Sequence, residues 1–294
     1  SMQLGALEIP ALRAAVQVGG DLGLHQVAPE SGALVHWGDL MVGGDLILQR
    51  LEDVPLQSDS APVTGMSYRD MSQRNDRWLS IWAGGMVHLM QLLPGQSSDT
   101  VLPLNVHANR HPVPGVRRDH WEYEQLKQLA RQHGTYLAID RDGLLYPSGS
   151  IEPGRGVTPD DFLRSRTAGD TRGLIFVDTL DGTAPRSDNL GVLRLNAAYL
   201  EAVLVVQGHV IVNPSASGQS LPVLSPPAGG SRTSVSLSDI HLNGALYAFG
   251  NITLDRSTRV FGAIAAEGTI ATARPGVTME VLSAQEIAWS SSSG

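Results

Sequence analysis

Gly244-Ala-Leu-Tyr-Ala-Phe-Gly250-Asn-Ile-Thr-Leu254 is followed eighteen positions later by Gly262-Ala-Ile-Ala-Ala-Glu-Gly268-Thr-Ile-Ala-Thr272. In both stretches apolar or small residues fall two, four, eight and ten places after the first glycine, and a second glycine falls at the sixth. Alternation with a period of two predicts strands. A glycine on the inward side of a strand marks a bend or the close approach of another backbone. Two copies about eighteen residues apart predict tiers of a ladder stacked on one another, not a hairpin.

The pattern recurs far away. Ala14-Ala-Val-Gln-Val-Gly-Gly20-Asp-Leu-Gly-Leu24 puts Val16, Val18, Leu22 and Leu24 on one face, and Gly38-Asp-Leu-Met-Val-Gly-Gly44-Asp-Leu-Ile-Leu48 does the same with Leu40, Val42, Leu46 and Leu48. Ala202-Val-Leu-Val-Val-Gln-Gly208-His-Val-Ile-Val212 is a further copy, burying Leu204, Val206, Val210 and Val212. At about 3.3 Å per residue, a spacing of 18 to 24 residues makes two or three short strands with corners, or one solenoid coil. No coil can bury its apolar row alone, so each is stabilised by its neighbours. Aromatic residues make up only 5% of the chain, which leaves Val, Leu, Ile and Ala to fill a narrow stacked-β core. The expected fold is therefore mainly β: a β-solenoid, or stacked-coil β-helix, with an inserted α-containing segment. Residues 1–60 and 173–294 carry coils, and residues 61–172 form an α+β excursion packed on them.

Inside the excursion, Asn75-Asp76 could cap a helix over residues 77–82, and residues 86–93 read as a second apolar helical segment ended by Pro94-Gly95. Trp78, Trp82, Met86 and Met90 would form its apolar face. Residues 119–133 give the clearest helix: Asp119 as N-cap, Glu122 at N3, Gly134 at C′, and a stripe of Tyr123, Leu126, Leu129 and Ala130. Residues 136–139 read as a strand followed by a turn at Asp140-Arg-Asp-Gly143. Thr158-Pro-Asp-Asp161 carries the signals of a second helix start, with Thr158 as N-cap and Pro159 at N1.

Chemistry is harder to find. With no cysteine, disulfides, thiolate metal sites and thiol catalysis are excluded. Gly-Gly-Asp-Leu at 19–22 and 43–46 lacks the Gly-Lys-Ser/Thr of a phosphate loop and reads as turn chemistry. His107 and His111 have metal-ligand spacing on a helix, but Pro112 and Pro114 break any helix there. Asp178, Asp181 and Asp188 could ligate calcium through oxygens, or could close a polar turn by Asx hydrogen bonds. The remaining acids sit at corners, with no paired-carboxylate constellation. No catalytic, cofactor-binding or metal residue is assigned, and no cofactor is expected. A net charge of −8 argues against a broad nucleic-acid or anionic-membrane footprint. A local patch of Arg110, Arg117 and Arg118 is the candidate ligand or DNA contact; its alternative is three solvated loop arginines. Of 21 basic residues only Lys127 is lysine, which reads as a coding bias.

Gly173-Leu-Ile-Phe-Val-Asp, Val205-Val-Gln-Gly-His-Val, Leu242-Asn-Gly-Ala-Leu-Tyr-Ala-Phe-Gly-Asn-Ile-Thr-Leu and Val260-Phe-Gly-Ala-Ile resemble the soluble part of pilus-assembly proteins of the PilX type, large minor pilins with a β-solenoid. The helix at 122–134 running into Thr135-Tyr136 is similar to that family's central helix, and residues 75–85 to a short aromatic element. The resemblance implies a non-enzymatic type IV pilus component, anchored in the inner membrane by an N-terminal helix before assembly and then displayed at the cell surface. Its partners would be other pilins and pilus-assembly proteins, with DNA or a surface glycan as ligand. Ser1-Met2 reads as a cloning scar, so the N-terminal helix is expected upstream. Two other classes remain open: a polysaccharide-active β-helix enzyme, and a bactofilin-like polymer-forming scaffold.

Overall fold

A row of alternating apolar side chains needs a surface to be buried against, and each copy of the repeat finds it on the next. The computed structural model describes residues 14–23, 32–36, 39–48, 81–89, 106–110, 113, 120–164, 173–221, 237–274 and 276–282. Its strands are β1 (Val16–Val18), β2 (Leu22–Gly23), β3 (Gly32–His36), β4 (Leu40–Val42), β5 (Leu46–Leu48), β6 (Ile81–Ala83), β7 (Val87–Leu89), β8 (Val106–His107), β9 (Thr135–Ile139) and β10 (Leu145–Tyr146). They continue with β11 (Leu174–Val177), β12 (Val192–Leu195), β13 (Leu200–Val206), β14 (His209–Val212), β15 (Leu242–Ala248), β16 (Ile252–Leu254), β17 (Thr258–Ala266), β18 (Ile270–Thr272) and β19 (Thr278–Leu282). Among the described residues two helices, α1 (His120–His133) and α2 (Pro159–Arg164), accompany them.

The protein is mainly β, and its sheets are parallel. A twelve-stranded sheet runs β10-β9-β11-β13-β15-β17-β1-β4-β6-β8, with β19 pairing β17 and β3 pairing β19. A seven-stranded sheet runs β12-β14-β16-β18-β2-β5-β7 in the same order. Among the described strand pairs only β9–β10 is antiparallel. Each strand of the smaller sheet follows one of the larger in sequence, so the chain builds tier upon tier. The order of tiers is not the order of the chain. β1 lies between β17 and β4, so strands from all three sequence intervals share the same two sheets.

The opening repeat holds position by position. Leu246, Ala248, Ile252 and Leu254 lie opposite Ile264, Ala266, Ile270 and Thr272, and all eight are buried. With Val16, Val18, Leu22, Leu40, Val42, Leu46, Leu204, Val206, Val210 and Val212 they fill one core shared by both sheets. Burial of each large aliphatic side chain stabilises the fold by about 1.5–3 kcal/mol. Gly244 and Gly262 face each other at φ 137° and 142°, where the long strands turn a corner. A Cβ on Gly262 would run into the Gly244 carbonyl oxygen, so the bend admits only glycine.

The helices form as their caps dictate. Thr158 Oγ1 accepts a hydrogen bond from the Asp161 N–H at 3.1 Å and opens α2. In α1, Tyr123, Leu126 and Ala130 face the sheet and are buried, while Leu129 is half-buried. They pack on Phe176, Val205, Tyr247 and Ala265, the outward residues of four neighbouring strands. Gly134 ends the helix, yet it is absent from the left-handed glycines; its Cβ would strike the Leu174 carbonyl, so close approach explains the residue.

The helical reading of residues 81–82 and 86–89 is overturned. Ile81–Ala83 and Val87–Leu89 are strands of the ladder, paired with β4 and β5 in the register Met41↔Trp82 and Leu46↔Val87. Asn75-Asp76, Trp78 and Met90 lie outside the described residues.

Candidate functional site

Two polar constructions stand out from the apolar core. The first runs along the corner between the sheets. Glycine donates to glycine from tier to tier: Gly250 N–H to Gly208, Gly268 to Gly250, Gly20 to Gly268, Gly44 to Gly20 and Gly85 to Gly44, at 2.8–3.1 Å. The residue after Gly208, Gly250, Gly20 and Gly44 supplies a side-chain acceptor for the next tier, whereas Thr269, after Gly268, presents its methyl group to Gly20. His209 Nδ1 accepts the Asn251 amide at 3.0 Å and Asn251 Oδ1 the Thr269 amide at 3.0 Å. Asp21 Oδ1 accepts the Asp45 amide and Asp45 Oδ1 the Met86 amide, both at 2.8 Å. These acceptors occupy the space a Cβ would need on Gly250, Gly268, Gly44 and Gly85. Glycine and acceptor are thus one device, and Gly-Gly-Asp-Leu is its sequence form. The Met86 amide and His88 hold the Asp45 carboxyl below its ordinary range.

The second construction surrounds the sole lysine. Lys127 and Asp178 are 7% and 1% exposed, and Lys127 Nζ lies 2.7 Å from Asp178 Oδ2. Burying such a pair is unfavourable unless the remaining hydrogen-bond capacity is filled. Here it is filled. The carboxylate accepts the Tyr123 hydroxyl (2.7 Å) and the Thr179 amide (2.8 Å) on Oδ1, and the Tyr136 hydroxyl (2.6 Å) with the lysine on Oδ2. The ammonium donates its other hydrogens to the Tyr123 oxygen (3.0 Å) and the Gly182 carbonyl (2.5 Å). Three donors and four acceptor sites are all engaged. Burial and the hydrogen bond to Asp178 push the Tyr136 hydroxyl up to about 12 and raise Tyr123 as well, so both phenols stay protonated. Arg131 covers the Tyr136 ring at 4.3 Å. The network joins α1, β9, the end of β11 and the following turn, and its chemistry is that of a clamp.

That turn is closed on itself. Asp181 Oδ1 accepts from Thr183 N–H and Oγ1 and from Asn189 Nδ2, and its Oδ2 pairs Arg186 at 2.9 Å. These donors, the Thr183 hydroxyl first, hold its carboxyl well below the usual range. Asp188 also meets Arg186, at 3.2 Å. Asp181 closes the polar turn with its Asx bond to the Thr183 amide, Asp188 meets Arg186 and Asp178 belongs to the clamp, so the three aspartates form no shared oxygen cage. Among the described residues no group of three or more His, Asp or Glu could hold a metal ion.

Arg110 is exposed just beyond β8, its amide donating to the Ala83 carbonyl at 3.1 Å; Arg117 and Arg118 lie outside the described residues. His107 stacks on Trp82 with ring centroids 4.1 Å apart, and His111 is likewise outside them. The clamp residues escaped the sequence reading, although a single lysine on the apolar stripe of a helix was their visible mark. No family model, curated protein or solved structure matches this chain.

Proposed function

We propose that this chain is a non-enzymatic cell-surface component of a type IV pilus, a minor pilin or pilus-assembly protein whose tiers wind as a β-solenoid. The observation that carries the reading is the corner column: glycine and acceptor repeat through successive parallel tiers in one register. Such a column produces a rigid, elongated surface and commits its acids to backbone amides. The most buried charges are likewise committed, in a clamp that fixes a helix to the sheet. Both are properties of a display scaffold. The pilus assignment itself rests on the resemblance of residues 173–178, 205–210, 242–254 and 260–264 to PilX-type proteins. Adhesion, pilus assembly and DNA uptake are the roles such a scaffold would serve.

A polymer-forming scaffold would need both ends of the ladder open. At one end the antiparallel β9–β10 pair, with Leu145 bridged to Val157, closes the sheet, which favours a display module over an end-to-end polymer. Immunogold microscopy of sheared surface fibres from the source cells tests the proposal. Label on pili is the expected result; label confined to the cytosol would sink it.

A further inference from the structure

Three successive tiers turn the corner opposite the glycine column, and there they border an open cleft of about 600 Å³, within the range of small-ligand sites. Its walls come from Pro214 and Ser217 after β14, Asp239 and His241 before β15, Arg256 and Ser257 after β16, and Arg274 and Val277 after β18. Arg256 and Arg274 hold equivalent places in adjacent tiers, each two residues past the paired Leu254 and Thr272. Both guanidiniums are exposed, and neither forms an ion pair among the described residues; Arg256 Nη1 donates to the Pro214 carbonyl at 3.1 Å.

In a chain of net charge −8, two cations in adjacent tiers with no carboxylate partner among the described residues, set against the single acid Asp239 of the lining, are a local reversal of sign. The acid of the lining, Asp239, is held by the Gly218 amide at 2.6 Å and stands 3.9 Å from His241 Nε2. His241 forms the floor, 8% exposed, with Nδ1 accepting the Arg259 amide at 3.1 Å. Ser217 lines the cleft as an exposed residue, while Pro214 and Val277 are largely buried behind it. Asp239 itself takes φ 60°, a left-handed conformation unusual for a non-glycine residue, and its side chain is about half exposed.

We propose that this cleft binds an acidic sugar, the two arginines taking its carboxylate and the polar rim its hydroxyls. Guanidinium forks match a carboxylate in shape and charge. A long polyanion such as DNA fits less well, because only two unpaired cations lie here and the rest of the acidic chain would repel its backbone. The site stands on its own residues, whatever assembly the chain belongs to.

Calorimetric titration of the whole chain with digalacturonate, galactose, inorganic phosphate and a single-stranded DNA oligonucleotide tests the assignment. Digalacturonate should bind and galactose should bind far more weakly. Arg256→Ala and Arg274→Ala should each weaken digalacturonate binding roughly tenfold or more, the loss of a charge-assisted hydrogen bond. Arg155→Ala, at an exposed arginine elsewhere, should leave binding unchanged. Absence of digalacturonate binding, equal affinity for galactose, or binding that survives the double arginine variant would overturn the proposal. So would binding of phosphate or DNA without the sugar. Unchanged circular dichroism keeps a loss of binding from being read as unfolding.

Discussion

Lys127 and the pair Arg256/Arg274 are cations beside turns of the same ladder, and they obey opposite rules. Lys127 is buried against Asp178 with every hydrogen-bonding position filled, so its charge is tolerated only because its partners are fixed. The two arginines are exposed and, among the described residues, stand without a carboxylate, so their charge costs the fold little. Buried charge in this protein organises the chain, whereas the exposed pair is free to meet the proposed ligand.

The largest test of that contrast is Lys127→Met. It leaves Asp178 buried without its counter-ion and should destabilise the protein by about 3–5 kcal/mol in urea unfolding. Lys127→Met combined with Asp178→Leu should recover much of the loss, because no orphaned charge remains. A single variant as stable as the wild type would break the clamp interpretation. Next, Gly262→Ala forces a Cβ onto the Gly244 carbonyl at φ 142° and should cost about 2 kcal/mol or more. The corner acceptors come third. Asp21→Ala removes the acceptor of the Asp45 amide and should lower the melting temperature by a few degrees, while Asp21→Asn keeps it and should not.

A smaller effect concerns pH. His209 Nδ1 and His241 Nδ1 both accept backbone amides, so each imidazole must be neutral at that nitrogen. Burial, the leading cause in both, holds their pKa values below the ordinary 6.5. The native state therefore binds fewer protons than the unfolded chain. The stability these two histidines contribute is fully present above about pH 6.5 and is lost as pH falls through the lowered native values. Melting curves between neutral and mildly acidic pH should fall accordingly. His209→Asn, which borrows the acceptor used one tier on at Asn251, should flatten the His209 part of that fall. Last, Arg256→Ala and Arg274→Ala should leave the melting temperature where it was, in contrast to Lys127→Met.

Much of the ladder could be read from the sequence because its signal is local. Alternation around a central glycine identified the strands at Val16, Leu40, Leu204, Leu246 and Ile264, and all of them pair in parallel. The tier at Ile81–Leu89 was misread for a definable reason. Trp82, Met86 and Met90 are spaced by four, which fits one face of a helix and also the same face of a strand, since four is a multiple of two. Ala83-Gly84-Gly85 aligns with Val42-Gly43-Gly44, and that motif would have decided for a strand. Tier order was not legible, because the pairing of Val16 with Ile264 has no local mark. The clamp escaped for the same reason: Lys127 and Asp178 are joined only when α1 lies on β11. Its lone lysine looked like codon usage, whereas the helix stripe that holds it was plain.

The placement of β1 has a consequence for how the molecule is made. One edge of β1 faces β4, which follows soon after it, but the other faces β17 through Val16↔Ile264 and Gln17↔Ala265. During synthesis that second edge stays bare until β17 has emerged long after β1, and closing it brings together strands far apart in sequence, a slow step. An unpaired parallel edge is the kind of surface on which chains stick to one another. Truncations that remove β17 should therefore fail by aggregation of the early tiers, with the ladder split at its middle.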